Sequence, residues 1–410
     1  MSIERSPLAP ASFPTIPPVA GVELAAGASG IRYAGRPDLT LMAFAAGTTV
    51  GGVFTRSHVP GHPVVWCREI LKRGTARALV VNAGNANVLN GAHGDAAVRM
   101  EATAAAGLIG AEPENVFVAS TGVIGEPLPV DKIVQALPDL HSRLSPEGWE
   151  DAAEAIRTTD TFAKASSAKT TIGGREVTIA GIVKGSGMIQ PDMATMLAFI
   201  TTDAGLPPAI LQRLVEDANE LAFRKITIDS DTSTSDMLLL FATGQANHPA
   251  PSDADDHLLD AFKTALNAVA TDLAKQVVRD GEGITKFIQI AVEGAVSDDS
   301  ARIIGLTVAN SPLVKTAIAG EDANWGRIVA AVGKAYQPIQ LAHLGIRVGG
   351  HLVAENGARL PNLDENPIDE HLKGREIDIT INVGPGQGQA TVWTSDLTHG
   401  YITINASYRS

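Results

Sequence analysis

The sequence predicts an α+β or layered α/β protein, because strand-like segments recur along the whole chain and amphipathic helices lie between them. Several strand segments alternate apolar and polar residues with a period of two, the pattern of a sheet with one face buried. In chain order, 78–82 (ALVVN) and 115–119 (NVFVA) are continuous apolar runs of strand length. A helix follows, with Ser145 as N-cap and Pro146 at its first position, turning Trp149, Ala152, Ala153 and Ile156 inward. Residues 176–180 (EVTIA) form the next strand. A helix over about 208–224 buries Leu211, Leu214, Val215, Ala218 and Leu221. Strand 237–241 (MLLLF) precedes a long helix over about 257–278, where Leu259, Phe262, Leu266, Val269, Leu273 and Val277 share one face. Residues 287–292, 302–308, 377–383 and 401–405 complete the set of predicted strands.

Composition narrows the function classes. With 410 residues, 45% of them hydrophobic, the chain buries roughly 75% of its extended surface on folding and needs no staple. Aromatic residues make up only 4% and glycines number 40, so an aliphatic core with many tight turns is expected. The net charge of −13 disfavours a general grip on nucleic acid or on an anionic membrane. Cys67 is the single cysteine, which excludes an intramolecular disulfide and reads as a small buried hydrophobe. The proline-rich start does not resemble a secretory signal, and no apolar run is long enough for a membrane helix, so a cytoplasmic protein is expected. No metal-ligand spacing, Walker loop or dinucleotide loop is present, and neither a metal nor a bound cofactor is expected.

The most unusual stretch is 184–204, glycine-rich and polar at first, then abruptly apolar after Thr195. Gly185 and Gly187 let backbone approach a ligand closely, and the run from Met196 looks like a buried strand. Two readings stay open on the residues alone. Residues 193–197 (MATML) can simply begin a core strand. Alternatively, the Thr195 hydroxyl adds to the carbonyl of Ala194, shifts the peptide to an ester and loses it to water. The α-amine exposed by that cut, with a reference pKa of about 7.7–8.0, would serve the hydroxyl as its base.

This segment, KGSGMI over 184–189 and MATML over 193–197, resembles the signature of the glutamate N-acetyltransferase (ornithine acetyltransferase) family. The likeness runs through VNAGNAN at 81–87, STGVIG at 120–125, TTDT at 158–161, ITIDSDTST at 226–234, DGEG at 280–283, ANWGR at 323–327 and INASYRS at 404–410. Ser230 and Ser235 stand where relatives more often carry Gly and Asn.

The resemblance implies an enzyme of arginine biosynthesis that moves acetyl from N-acetylornithine to glutamate by a ping-pong route. It implies layered sandwich units and self-cleavage between Ala194 and Thr195 into an alpha chain, 1–194, and a beta chain, 195–410. The two chains stay together, usually as a heterotetramer of two of each. Some members also take acetyl-CoA as donor. Carried over by position, Thr195 is the nucleophile, and Thr121 and Gly122 form the oxyanion hole. Thr158, Lys184, Thr195, Glu282, Asn405 and Ser410 bind substrate, with Glu282 reading the amine end of ornithine. The competing expectation is a self-cleaving aminopeptidase or amidase, in which water replaces glutamate as acceptor. Asn82, Asn85, Asn87, Asp229, Asp231 and Asp236 either line the site or bond turns.

Overall fold

Three sheets organise the chain in a computed structural model that describes residues 4–190 and 196–406. The first sheet runs Val22–Gly27, Leu39–Phe44, Ala78–Asn85, Val116–Val123, with its last pair parallel. The second runs Thr49–Phe54, Met237–Ala242, Leu197–Thr202, Arg175–Lys184, Lys164–Ile172. These two sheets stack face to face, and helices cover both outer faces.

Alternation within the strands explains the four layers. Leu79 and Val81 point into the inter-sheet core with Phe44 and Phe117, opposite Phe199, Leu239 and Phe241. Phe44 stacks on Phe241 with ring centroids 4.4 Å apart. The alternate residues Ala78 and Val80 face helices Gly91–Ile109 and Val130–Ser142 through Val98, Ala102, Ile133 and Leu137. On the far side, Ala198 and Ile200 meet helices Pro208–Leu221 and Asp260–Arg279 through Leu214, Phe262, Leu266 and Leu273. A strand buried on both faces reads as a continuous apolar run, which is how these strands look in the sequence.

A six-stranded mixed sheet forms a second unit from Phe287 onward, with Phe287–Ala295 between the parallel Glu376–Asn382 and the antiparallel Gly388–Ser395. Its core joins Ile288, Ile290 and Val292 to helices Asp298–Ala309, Pro312–Ala319, Trp325–Gly333 and Asn366–Leu372. Mixed sheets with segregated helices confirm the α+β class.

Four local expectations are corrected. Residues 302–308 are helical, within Asp298–Ala309, where Ala301, Ile304, Gly305 and Val308 are buried at three-to-four spacing and Ser297 caps the start by accepting from the Ser300 amide. Residues 401–405 are also helical, within His399–Asn405, capped by Thr398. The helix expected from Ser145 starts later, as Trp149–Ala155, because Ser145 is held by a bridge to Leu24. Leu221 is exposed at the end of its helix, though its partners on that face are buried as expected.

Candidate active site

A cavity of about 280 Å³ opens at the ends of strands from both stacked sheets. Thr121 and Gly122 form one wall. They lie within Val116–Val123, at the point where its parallel register with Ala78–Asn85 shifts at Asn85. Gly122 adopts φ +132°, and a Cβ there would fall 2.3 Å from the Gly84 carbonyl carbon. Only glycine fits this irregularity, which turns the strand end toward the cavity.

Lys184 ends the strand Arg175–Lys184, and its ammonium donates to the Thr121 hydroxyl at 3.4 Å. Lys184 and Glu282 are 8% and 5% exposed, far from the solvated state a lone surface charge adopts. Glu282 faces the same cavity from the turn after Asp260–Arg279. Burial pushes its carboxyl up, opposed by hydrogen bonds from the Thr159 side chain and from Asn405 Nδ2 at 2.7 Å. The adjoining Gly283 has φ +70°, and a Cβ on it would meet the Gly400 carbonyl carbon at 2.3 Å. That close approach docks the C-terminal helix, with Thr398 Oγ1 donating to the Gly283 carbonyl. The expectation of a docked terminus therefore holds for Asn405, although on a helix instead of a strand.

Thr158 lines this cavity and a neighbouring one of about 890 Å³, which shares Val123 and Thr159 with it. Arg5, Arg32, Tyr33 and Arg375 line the larger space. The structure thus brings together Thr121, Gly122, Thr158, Lys184, Glu282 and Asn405. Ala194, Thr195 and Ser410 lie outside the described residues. Met196, covalently next to Thr195, lines the cavity, and its carbonyl accepts from the Met237 amide at 3.0 Å.

The polar clusters left open divide in two. Asn82, Asn85 and Asn87 bond turns, through the carbonyls of Asn85, Glu126 and Gly94. Asp229 holds the Gly187–Met188 turn by accepting from the Met188 and Ile189 amides at 2.6 and 2.8 Å. Asp236 lines the cavity instead, and burial raises its carboxyl well above the usual range. Among the described residues no group of His, Cys, Asp and Glu side chains could hold a metal ion. No helix among them is long and apolar enough to cross a membrane.

One feature was missed by sequence reasoning. Lys164 is completely buried, and its ammonium donates to Asp160 Oδ1 at 2.6 Å and Asp280 Oδ2 at 2.5 Å. Burial opposes the charge on Lys164, but the two carboxylates outweigh it and hold its pKa above the ordinary value. Asp160 and Asp280 both fall in quoted motifs, yet a lone Asp or Lys carries no sequence mark of burial. The apolar flanks Phe162, Ala163 and Ala165 were the available signal.

A threonine hydroxyl and a glycine beside a buried ammonium, on the wall of one cavity, suit the negative charge that builds on a carbonyl under attack, which puts the protein among acyl-transferring enzymes. The model of the ArgJ family matches residues 23–410. The arginine biosynthesis bifunctional protein ArgJ of Gluconobacter oxydans is 55% identical, over 99% of this chain and 95% of that relative. Its namesake from Zymomonas mobilis is 52% identical, over 99% of both. The crystal structure of the Bacillus halodurans protein of that name aligns with a TM-score of 0.50 at 37% identity, covering 52% of this chain and all of that one. The chain belongs to the ArgJ family and is an acyltransferase of arginine biosynthesis. The competing aminopeptidase or amidase reading is not favoured by these relatives.

Proposed function

We propose that this enzyme transfers acetyl from N-acetylornithine to glutamate through an acetyl ester on Thr195. The observation that carries the reading is the convergence of Thr121, Gly122, Lys184 and Glu282 on one cavity whose wall includes Met196. The Thr195 hydroxyl attacks the acetyl carbonyl, and its proton passes by way of the α-amine of the same residue to the departing nitrogen of ornithine. Charge on the carbonyl oxygen is met by the Thr121 hydroxyl and the Gly122 amide. The amine of glutamate then attacks the ester, and the proton returns along the same route to the threonine oxygen.

One pocket must receive a cationic leaving group and an anionic acceptor in turn. Ionised Glu282 takes the side-chain ammonium of ornithine. The Lys184 ammonium on the same cavity is the cation available to the carboxylate of glutamate. Asn405, Thr158 and Ser410 complete the substrate contacts.

The α-amine requires cleavage between Ala194 and Thr195, giving chains 1–194 and 195–410 that remain associated as a cytoplasmic heterotetramer of two of each. A relative's crystal chain that covers only 52% of this sequence, while being matched in full, fits chains of about that length. Acetyl-CoA serves as a second donor, supported by the larger cavity next to the acyl site, whose Arg5, Arg32 and Arg375 suit phosphate groups.

Intact mass under denaturing conditions tests cleavage, with two species expected and one full-length species counting against it. Feeding N-acetylornithine with and without glutamate tests the transfer. N-acetylglutamate should form only with glutamate present, whereas free acetate in its place would make the enzyme a hydrolase. Thr195→Ala should abolish both cleavage and transfer.

A further inference from the structure

The buried cluster around Lys164 joins three separate segments of the site. Asp160 Oδ1 accepts from Lys164 and also from the Gly185 amide at 2.7 Å, while its Oδ2 accepts from the Thr158 amide at 3.1 Å. The same Oδ2 lies 3.9 Å from the Lys184 ammonium. On the other side, Asp280 accepts from the Thr161 amide at 2.9 Å and from the Thr161 hydroxyl. The Asp280 carbonyl accepts from the Ser186 hydroxyl at 2.5 Å, and the Glu282 amide donates to the Ser186 carbonyl at 3.1 Å. Two carboxylates thus face two ammoniums, and the set is neutral.

The two arms end on different functional groups. Through Asp160, the cluster reaches Lys184 and the Thr121 hydroxyl. Through Asp280 it reaches the turn that carries Glu282. Neither Lys164 nor Asp280 lines the cavity. A cluster serving stability alone has no need to end on the one cation and the one anion expected to read substrate.

We propose that Lys164 is a positioning residue of the acyl transfer, setting the spacing between the Lys184 ammonium at the oxyanion wall and the Glu282 carboxylate at the substrate wall. This rests on the reaction proposed above. Each arm makes its own contribution. The Asp160 arm keeps Lys184 beside the hydroxyl that receives developing charge, so its loss lowers turnover. The Asp280 arm keeps Glu282 where the side-chain ammonium of N-acetylornithine lies, so its loss weakens N-acetylornithine binding.

Lys164→Met alone would leave two buried carboxylates facing each other, so the test uses two charge-balanced pairs. K164M/D280N retains the Asp160 to Lys184 contact, and should raise the KM for N-acetylornithine at least about tenfold while kcat changes little. K164M/D160N retains Asp280 with its Thr161 bonds, and should lower kcat at least about tenfold while KM changes little. A merely structural role reduces the folded fraction and cannot split the two parameters in opposite ways between the two variants. Parallel losses in both variants, unchanged kinetics in both, or failure of both to fold would each overturn the proposal. Acetylation of the wild-type enzyme by N-acetylornithine, read as an acetyl mass gain on Thr195, is scored separately. Its absence removes the reaction, whereas its presence with unsplit kinetics removes only the role of Lys164.

Discussion

On the Thr121 and Gly122 side of the cavity, position is set by backbone: a parallel strand pair, a register shift, and a glycine pressed against Gly84. On the Lys184 and Glu282 side, position is set by charge, through buried ammoniums and carboxylates that share hydrogen bonds. The first wall is rigid because a ladder of amide bonds allows only discrete registers. The second is held by pairing whose geometry depends on every member remaining charged and satisfied. Substitutions should therefore fail differently on the two sides, abruptly on the backbone wall and in graded fashion on the charged wall.

The largest effect is expected for Gly122→Ala. Its Cβ would collide with backbone atoms of Gly84 and Asn85, none of which can rotate away. A cost of more than about 4 kcal/mol and loss of activity should appear in thermal unfolding and turnover. A stable, active G122A would mean that the strand end is not fixed by this contact.

Next comes Thr121→Ala, which removes a hydroxyl and leaves the ladder intact. Turnover should fall about 10²- to 10³-fold with KM within about threefold, because the donor acts on charge present only in the transition state. If steady-state kinetics instead located the loss in KM, Thr121 would be a substrate contact.

On the charged wall, Glu282→Gln keeps shape and the Asn405 neighbour but loses the anion. N-acetylornithine should bind about tenfold or more weakly while acetylation by a small neutral ester proceeds as before. Equal loss with both donors would show that the charge supports the cavity and not the substrate.

The smallest effect belongs away from both walls. Cys67 is fully buried, its thiol pushed up to about 12 by burial, so an alkylating reagent should label it only after unfolding. Cys67→Ala should cost about 1–2 kcal/mol in stability with kcat unchanged. Labelling at the native rate of a free thiol would contradict the packed inter-sheet core.

The same division explains what could be read from sequence. Helix Asp260–Arg279 and the strands at Ala78–Asn85 and Met237–Ala242 announced themselves because apolar burial leaves a periodic trace. The run Arg302 to Val308 misled because its β-branched residues favour strands, while the cap at Ser297 and the spacing of Ala301, Ile304 and Val308 decide for a helix. Tyr401 to Asn405 misled in the same way, through alternating Ile and Thr on a short, exposed helix. Of the site, the residues carried over by motif do converge where they are described. Asp160, Lys164 and Asp280 were present in or beside those motifs but unassigned, since sequence distance hides that residues 116 apart share one proton-rich contact.

The second stacked sheet has a further consequence for the order of events in the life of the chain. Thr49–Phe54, Arg175–Lys184 and Lys164–Ile172 precede residue 194, whereas Met237–Ala242 and Leu197–Thr202 follow it and sit between them. Neither portion owns the whole of this sheet. A break at Ala194–Thr195 made before folding would leave two pieces that must find an interleaved arrangement as separate molecules. Assembly while the chain is still continuous is a search within one molecule, so the proposed cleavage is expected to follow folding and to leave the two portions interlocked in this sheet.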